Sequence, residues 1–130
     1  QMPLVTQKVV AKVLDTIDYD AHLENVRKVY KTKCDALLNA FNKYASSKVH
    51  LTQPTGGMFA WMTMPAEVNC DEFFEVCMDR NVGIIKCGAF AADGAGEGHA
   101  FRLSYTVPTV EEITKGMETL GALTKEFCGE

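Results

Sequence analysis

The sequence predicts an α+β sandwich, a short and mostly antiparallel sheet with helices over one face, entered through one long helix. Three observations carry this. Apolar residues recur every three or four positions over Tyr19–Tyr44 and again over Val110–Phe127. Between those helical stretches lie short runs of apolar and aromatic residues bounded by Pro, Gly and Asn. The resulting order is helix, long helix, strand, strand, helix, strand, strand, helix, which is not the strict alternation of a parallel α/β fold.

Leu4, Val5, Val9, Val10, Val13 and Leu14 form a helical stripe too short to be stable alone. Asp15 to Asp20 interrupts it. The long helix then places Leu23, Val26, Tyr30, Cys34, Leu37, Phe41 and Tyr44 on one face. At ~1.5 Å per residue it rises about 39 Å, more than a domain of this size needs, so it is expected to connect two bodies. Val49–Gln53 reads as a strand, "PTGG" as a turn and Met58–Met64 as a second strand, apolar on both faces and therefore central. Asn69 with Glu72 has capping-box spacing ahead of Phe73, Phe74, Cys77 and Met78, and Asn81 and Gly83 end that helix. "VGIIK" is the third strand. A glycine-rich connection leads to the fourth, Ala100–Thr106, and Thr109 with Glu112 caps the last helix.

The chain has 130 residues, of which 47% are hydrophobic and 23% charged, with a net charge of −4 and a pI near 5.4. That is enough for a single core. With no basic stripe, nucleic acid is not an expected partner. No run approaches the ~20 apolar residues of a membrane span, and no signal peptide is visible. Five cysteines without a CxxC pair suit neither a zinc site nor a secreted disulfide framework, which implies reduced thiols in an intracellular setting, cytoplasmic or mitochondrial. Gln1 stands ahead of Met2, as expected of a piece of a longer chain.

Few residues suggest chemistry. Gly94, Gly96 and Gly98 alternate, but the loop runs into a strand rather than a helix, and Asp93 and Glu97 would repel phosphate. His22, His50 and His99 are far apart in sequence, and no hydrolytic triad order is present. Trp61 and the methionines beside it read as core. Cys87 follows Lys86, whose charge could lower the thiol pKa, but an unreactive loop thiol is the favoured reading. Arg102 stands out. Alternation puts Phe101, Leu103 and Tyr105 on one face of the last strand and Arg102, Ser104 and Thr106 on the other. On its own the pattern fits a solvated arginine. The small neighbours on its face and the flexible loop upstream leave room for a ligand.

Three segments carry a resemblance: "PTGGMFAW" (Pro54–Trp61), "VGIIKCGAF" (Val82–Phe90) and "FRLSY" (Phe101–Tyr105). Together, in this order and spacing, they resemble the carboxy-terminal part of the class I/II, fold type I aminotransferases, nearest to the α-aminoadipate/kynurenine group. The resemblance covers nearly the whole chain. It implies a pyridoxal 5'-phosphate enzyme moving an amino group between an amino acid and a 2-oxo acid, as a homodimer. Residues 1–18 would be the remnant of a large-domain helix and linker, and 19–130 the small domain with its connecting helix. Arg102 would bind the substrate α-carboxylate, and Gly57 would lie on the substrate side. Cys87 stands where the family's "PGxAF" loop usually has proline. No segment resembles the "SxSK" motif that carries the cofactor lysine, so this chain alone is expected to be inactive, with no catalytic or cofactor-binding residue of its own. A stand-alone α+β ligand-binding or regulatory module is the alternative, followed by a related lyase or a transcription regulator with an aminotransferase-like domain.

Overall fold

A computed structural model describes residues 3–90 and 98–130. It begins with α1 (Leu4–Thr16), a helix with no buried residue. The Thr16 hydroxyl folds back on the carbonyls of Lys12 and Val13, and Ile17 leaves the helix extended. Asp18 then starts α2 (Tyr19–Tyr44), its side chain accepting the Ala21 amide at 3.0 Å. Among its 26 residues the buried ones, Cys34, Leu37, Ala40 and Phe41, all lie in the second half. In the first half only Tyr30 packs against the core, and it is partly buried.

Four strands, β1 (His50–Leu51), β2 (Phe59–Thr63), β3 (Ile85–Lys86) and β4 (Ala100–Ser104), form one sheet in the order β1-β2-β4-β3 with every pair antiparallel. β2 is central, as its two apolar faces predict. All four are shorter than the sequence patterns. At β1 the cause is visible: the Thr52 amide still donates to the Trp61 carbonyl at 2.9 Å, but the Trp61 amide returns to the Thr52 hydroxyl. A side chain replaces the backbone acceptor and the ladder stops. At β3 the chain turns into a 3₁₀ turn over Cys87–Phe90, which the sequence pattern does not announce.

One sheet face is sealed, with Ala60, Met62 and Phe101 fully buried and Leu103 nearly so. Helices α3 (Cys70–Asp79) and α4 (Val110–Cys128) cover it beside the second half of α2. Asn69 caps α3 alone, its Oδ1 accepting the amides of Asp71 and Glu72. The reciprocal bond that the spacing predicts, from the Asn69 amide to the Glu72 carboxylate, is not found among the described residues, whereas the Thr109–Glu112 box closes both ways at 3.2 and 2.8 Å. Asn81, one of the two residues expected to end α3, takes the left-handed turn after it, with φ of 58°. Phe73 packs between Phe101 and Phe127, at centroid distances of 5.4 and 5.3 Å.

Helices α2 and α4 meet at backbone distance. A Cβ on Gly121 would lie 2.6 Å from the Tyr44 backbone carbon. One turn on, the buried Thr124 hydroxyl donates to the Gly121 carbonyl and accepts the Ser46 amide at 3.0 Å. Lys48 closes the same corner by donating to the Cys128 carbonyl at 2.6 Å.

Two consequences are measurable. Gly121→Ala should destabilise the fold by about 1–3 kcal/mol or more, read as a lower urea midpoint, because backbone has to move to admit the methyl. Burial pushes the Cys77 thiol up from 9.0 to about 12. The unfolded chain releases that proton above pH 9 and the folded one holds it, so this contribution is intact below pH 9 and is lost as pH rises toward 12. In urea titrations across that range Cys77→Ala should show a shallower alkaline loss of stability than the parent sequence.

Candidate carboxylate-binding site

Arg102 sits in the middle of β4, opposite Trp61 of β2 on one side and Ile85 of β3 on the other. Its side chain leaves the sealed face and lies half-buried on the other side of the sheet. There the guanidinium carbon is 4.0 Å from the Phe59 ring centroid and 4.2 Å from that of Phe90. Trp61 meets Phe90 edge-on at 5.7 Å. Phe59 and Trp61 are alternate residues of β2, and Phe90 arrives from the end of the 3₁₀ turn.

Two aromatic faces on one guanidinium restrain its plane and leave the N–H edge as its polar outlet. No ion pair among the described residues engages Arg102. A planar fork held in this way suits a carboxylate, which it can grip through two parallel hydrogen bonds. Beyond it on the same face, the hydroxyls of Ser104 and Thr106 lie 3.4 Å apart.

Gly57 lies in the turn before β2 with φ of +85°, a conformation that excludes most side chains. Its carbonyl accepts the Tyr105 hydroxyl at 2.9 Å. Tyr105 belongs to the sealed face and is 2% exposed. Burial pushes its phenol up, as it does the thiol of neighbouring Cys34. The buried side of β4 therefore fixes the turn that leads into Phe59. Lys33 of α2 ties down the end of the same strand through the Thr106 carbonyl at 2.7 Å.

The sequence patterns foresaw the two faces of β4, and the structure keeps them. Trp61 is corrected: it lies half-buried beside Arg102, while its neighbour Met62 is the core residue. Phe59 was legible by parity, since an antiparallel partner of β4 presents alternate residues to the arginine's face. Phe90 was not, because its approach depends on the 3₁₀ turn. Gly94, Gly96, Asp93 and Glu97 lie outside the described residues. A groove of about 670 Å³ elsewhere, floored by Leu103, Ile113 and Met117, does not include Arg102 in its lining.

No family model matches the chain. Among curated proteins it is 35% identical to a 2-aminoadipate transaminase of Thermus thermophilus over 95% of its own length and 30% of the relative's. Among solved structures it matches the α-aminoadipate aminotransferase LysN of the same species, complexed with N-(5'-phosphopyridoxyl)-L-leucine, with a TM-score of 0.88 and 33% identity. That match covers 98% of this chain and 32% of LysN. The chain belongs to the pyridoxal-phosphate-dependent aminotransferase family. A kynurenine aminotransferase of Pyrococcus horikoshii aligns over 82% of this chain and 26% of its own, with a TM-score of 0.76 and 30% identity. Helix-turn-helix transcriptional regulators match too, among them NorG of Staphylococcus aureus at 29% identity over 85% of this chain. The chain spans between about a quarter and a third of the length of these aminotransferases, and its four-stranded antiparallel sheet with helices on one face is the aminotransferase small-domain fold.

The bond from Tyr105 to Gly57 is testable in this aminotransferase domain. Tyr105→Phe should cost about 0.5–1.5 kcal/mol in urea unfolding, the net worth of one such hydrogen bond. It should also speed amide exchange in the Gly56–Met58 turn while leaving β4 protected.

Proposed function

We propose that this chain is the carboxy-terminal domain of a pyridoxal-phosphate-dependent aminotransferase, and that Arg102 holds the α-carboxylate of its amino-acid and 2-oxo-acid substrates. The observation that supports this best is the guanidinium stacked between Phe59 and Phe90, with no ion pair among the described residues. The ligand of LysN, a phosphopyridoxyl amino acid, carries a carboxylate of the kind such a fork grips. Gly57, in the turn that Tyr105 ties to the end of β4, belongs to the substrate side in this reading.

Arg102 binds and orients. Two parallel hydrogen bonds to a carboxylate fix both its distance and its plane, so the bond to be broken at the α-carbon is aimed as well as anchored. Phe59 and Phe90 hold the fork in one plane and shield its faces from water, which strengthens the charge pairing. Pyridoxal phosphate, when bound, supplies the electron sink. The described residues fit the substrate's carboxylate end. The cofactor's lysine and phosphate contacts fall to sequence beyond these 130 residues, so the chain alone is inactive in this reading. The exposed stripe of α1 then packs against the rest of a homodimeric parent. The reduced cysteines fit an intracellular, cytoplasmic setting, and the bacterial and archaeal relatives favour it over a mitochondrial one.

A second reading has its own support: the match to NorG allows the same domain to serve a transcription regulator, with Arg102 sensing a carboxylate rather than presenting it for chemistry. Steady-state kinetics on the whole protein containing this chain separates the two. Removing one partner of a buried charge pair costs roughly 2–5 kcal/mol, so Arg102→Ala should lower kcat/KM by about 30-fold to a few thousand-fold for every amino donor tested. Arg102→Lys should recover little, because a point charge does not reproduce the fork. Near-normal kcat/KM in either variant would falsify the carboxylate role. Whole protein with no turnover but carboxylate binding that depends on Arg102 would favour the sensor, and turnover by the isolated chain would overturn the division of labour.

A further inference from the structure

The 3₁₀ turn that carries Phe90 also begins with a thiol, and a second thiol lies against the same place. Cys70 opens α3, and its Sγ is 3.5 Å from Nδ1 of His99. Next to His99 is Gly98, where the Cys87 Sγ fills the space a Cβ would need. Cys70 and Cys87 thus approach the adjacent residues His99 and Gly98 from two elements. An ion pair joins their immediate neighbours, with Lys86 Nζ 2.6 Å from the Asp71 carboxylate and 4.9 Å from the Phe74 ring centroid. The first turn of α3 is therefore pinned beside the β3–3₁₀ junction. Cys34, Cys77 and Cys128 are buried, while Cys70 and Cys87 are both partly exposed. Among the described residues no group of three side chains could hold a metal ion.

We infer that Cys70 and Cys87 form a reversible disulfide when the protein meets a hydroperoxide, and that this link acts on the Phe90 clamp over Arg102. The inference stands on this cluster and not on the aminotransferase reading. Burial, then the Asp71 carboxylate and the Cys87 thiol, hold the Cys70 thiol above its ordinary range. Cys70 has His99 Nδ1 at 3.5 Å to take up its proton, which suits it to the second step and leaves Cys87 for the first. The Cys87 sulfur attacks the peroxide, the O–O bond breaks, and Cys87 sulfenic acid forms with release of an alcohol, or of water from hydrogen peroxide. The Cys70 sulfur then attacks the Cys87 sulfur while its proton passes to His99 Nδ1. The S–O bond breaks, and the departing hydroxide takes up that proton as water. Two thiols lose two electrons and one hydroperoxide gains them.

The link would draw the start of the 3₁₀ turn toward α3, and Phe90 closes that turn. Trp61 stands edge-on to Phe90 and is the sequence's single tryptophan, so its emission reports on the clamp. The folded chain is treated with hydrogen peroxide, digested without reductant and mapped by mass spectrometry, with Trp61 emission followed in parallel. The expected result is one cross-linked peptide joining Cys70 to Cys87, accompanied by a shift in Trp61 emission, both reversed by dithiothreitol and both absent in Cys70→Ser. Cys87→Ser should also lose the peptide; should that variant fail to fold, Cys70→Ser alone carries the test. Pairing with Cys34, Cys77 or Cys128, or over-oxidation of Cys87 without a link, overturns the site. A Cys70–Cys87 link that leaves Trp61 emission unchanged overturns its coupling to the clamp.

Discussion

The register of β2 against β4 is the constraint on which the rest of the structure depends. Trp61 faces Arg102, Ala60 faces Leu103 and Met62 faces Phe101. Strand side chains alternate, so a slip of one residue would drive Arg102 into the sealed core and expose Phe101 and Leu103. Burial forbids this, because an unpaired guanidinium among apolar side chains costs several kcal/mol. The same pairing that builds the core therefore aims the arginine away from it, with Phe59 and Trp61 beside it. Stability and the candidate site share one set of hydrogen bonds.

The second half of α2, with α4, holds that sheet from behind. Their approach is so close at Gly121 and Tyr44 that no side chain fits, and the Thr124 hydroxyl serves two backbone partners in the gap. Toward the other end of the sheet, Tyr105 and Lys33 fasten the end of β4 to the Gly57 turn and to α2. Rigidity is thus concentrated behind Arg102. By contrast, α1 and the first half of α2 contribute no buried residue. A binding group gains precision from such a backing, since its rotamer and its strand are fixed before a ligand arrives.

Much of this was legible in the sequence, for reasons specific to each element. Tyr19–Tyr44 and Val110–Cys128 declare themselves because a 3.6-residue apolar period kept over many turns matches an amphipathic helix and no strand. The polarity of β4 could be read from "FRLSY" because alternation is local. The strand ends could not: β1 stops where the Thr52 hydroxyl accepts the Trp61 amide, and β3 stops where a 3₁₀ turn begins. Asn81, expected with Gly83 to end α3, takes the left-handed position, which asparagine tolerates better than most residues. For the candidate site, alternation singled out Arg102, the resemblance gave its expected role and added Gly57, and parity implied Phe59. Phe90 and the meeting of Cys70, Cys87 and His99 depend on how distant segments return to one another, which no local pattern records.

The two outer strands of the sheet, β1 and β3, are only two residues long. An exposed edge strand is a template for any extended peptide, and natural sheets blunt it with brevity, charge or an interrupted ladder. Here β1 is cut short where the Thr52 hydroxyl takes the Trp61 amide of β2 in place of a ladder bond, and β3 ends on a charged lysine before curling away. Among the described residues neither margin has a strand long enough for the run of backbone hydrogen bonds that strand addition requires. Separated from the rest of a larger protein, this unit would still have little tendency to grow by edge-to-edge pairing, and any association between copies would fall to its helices.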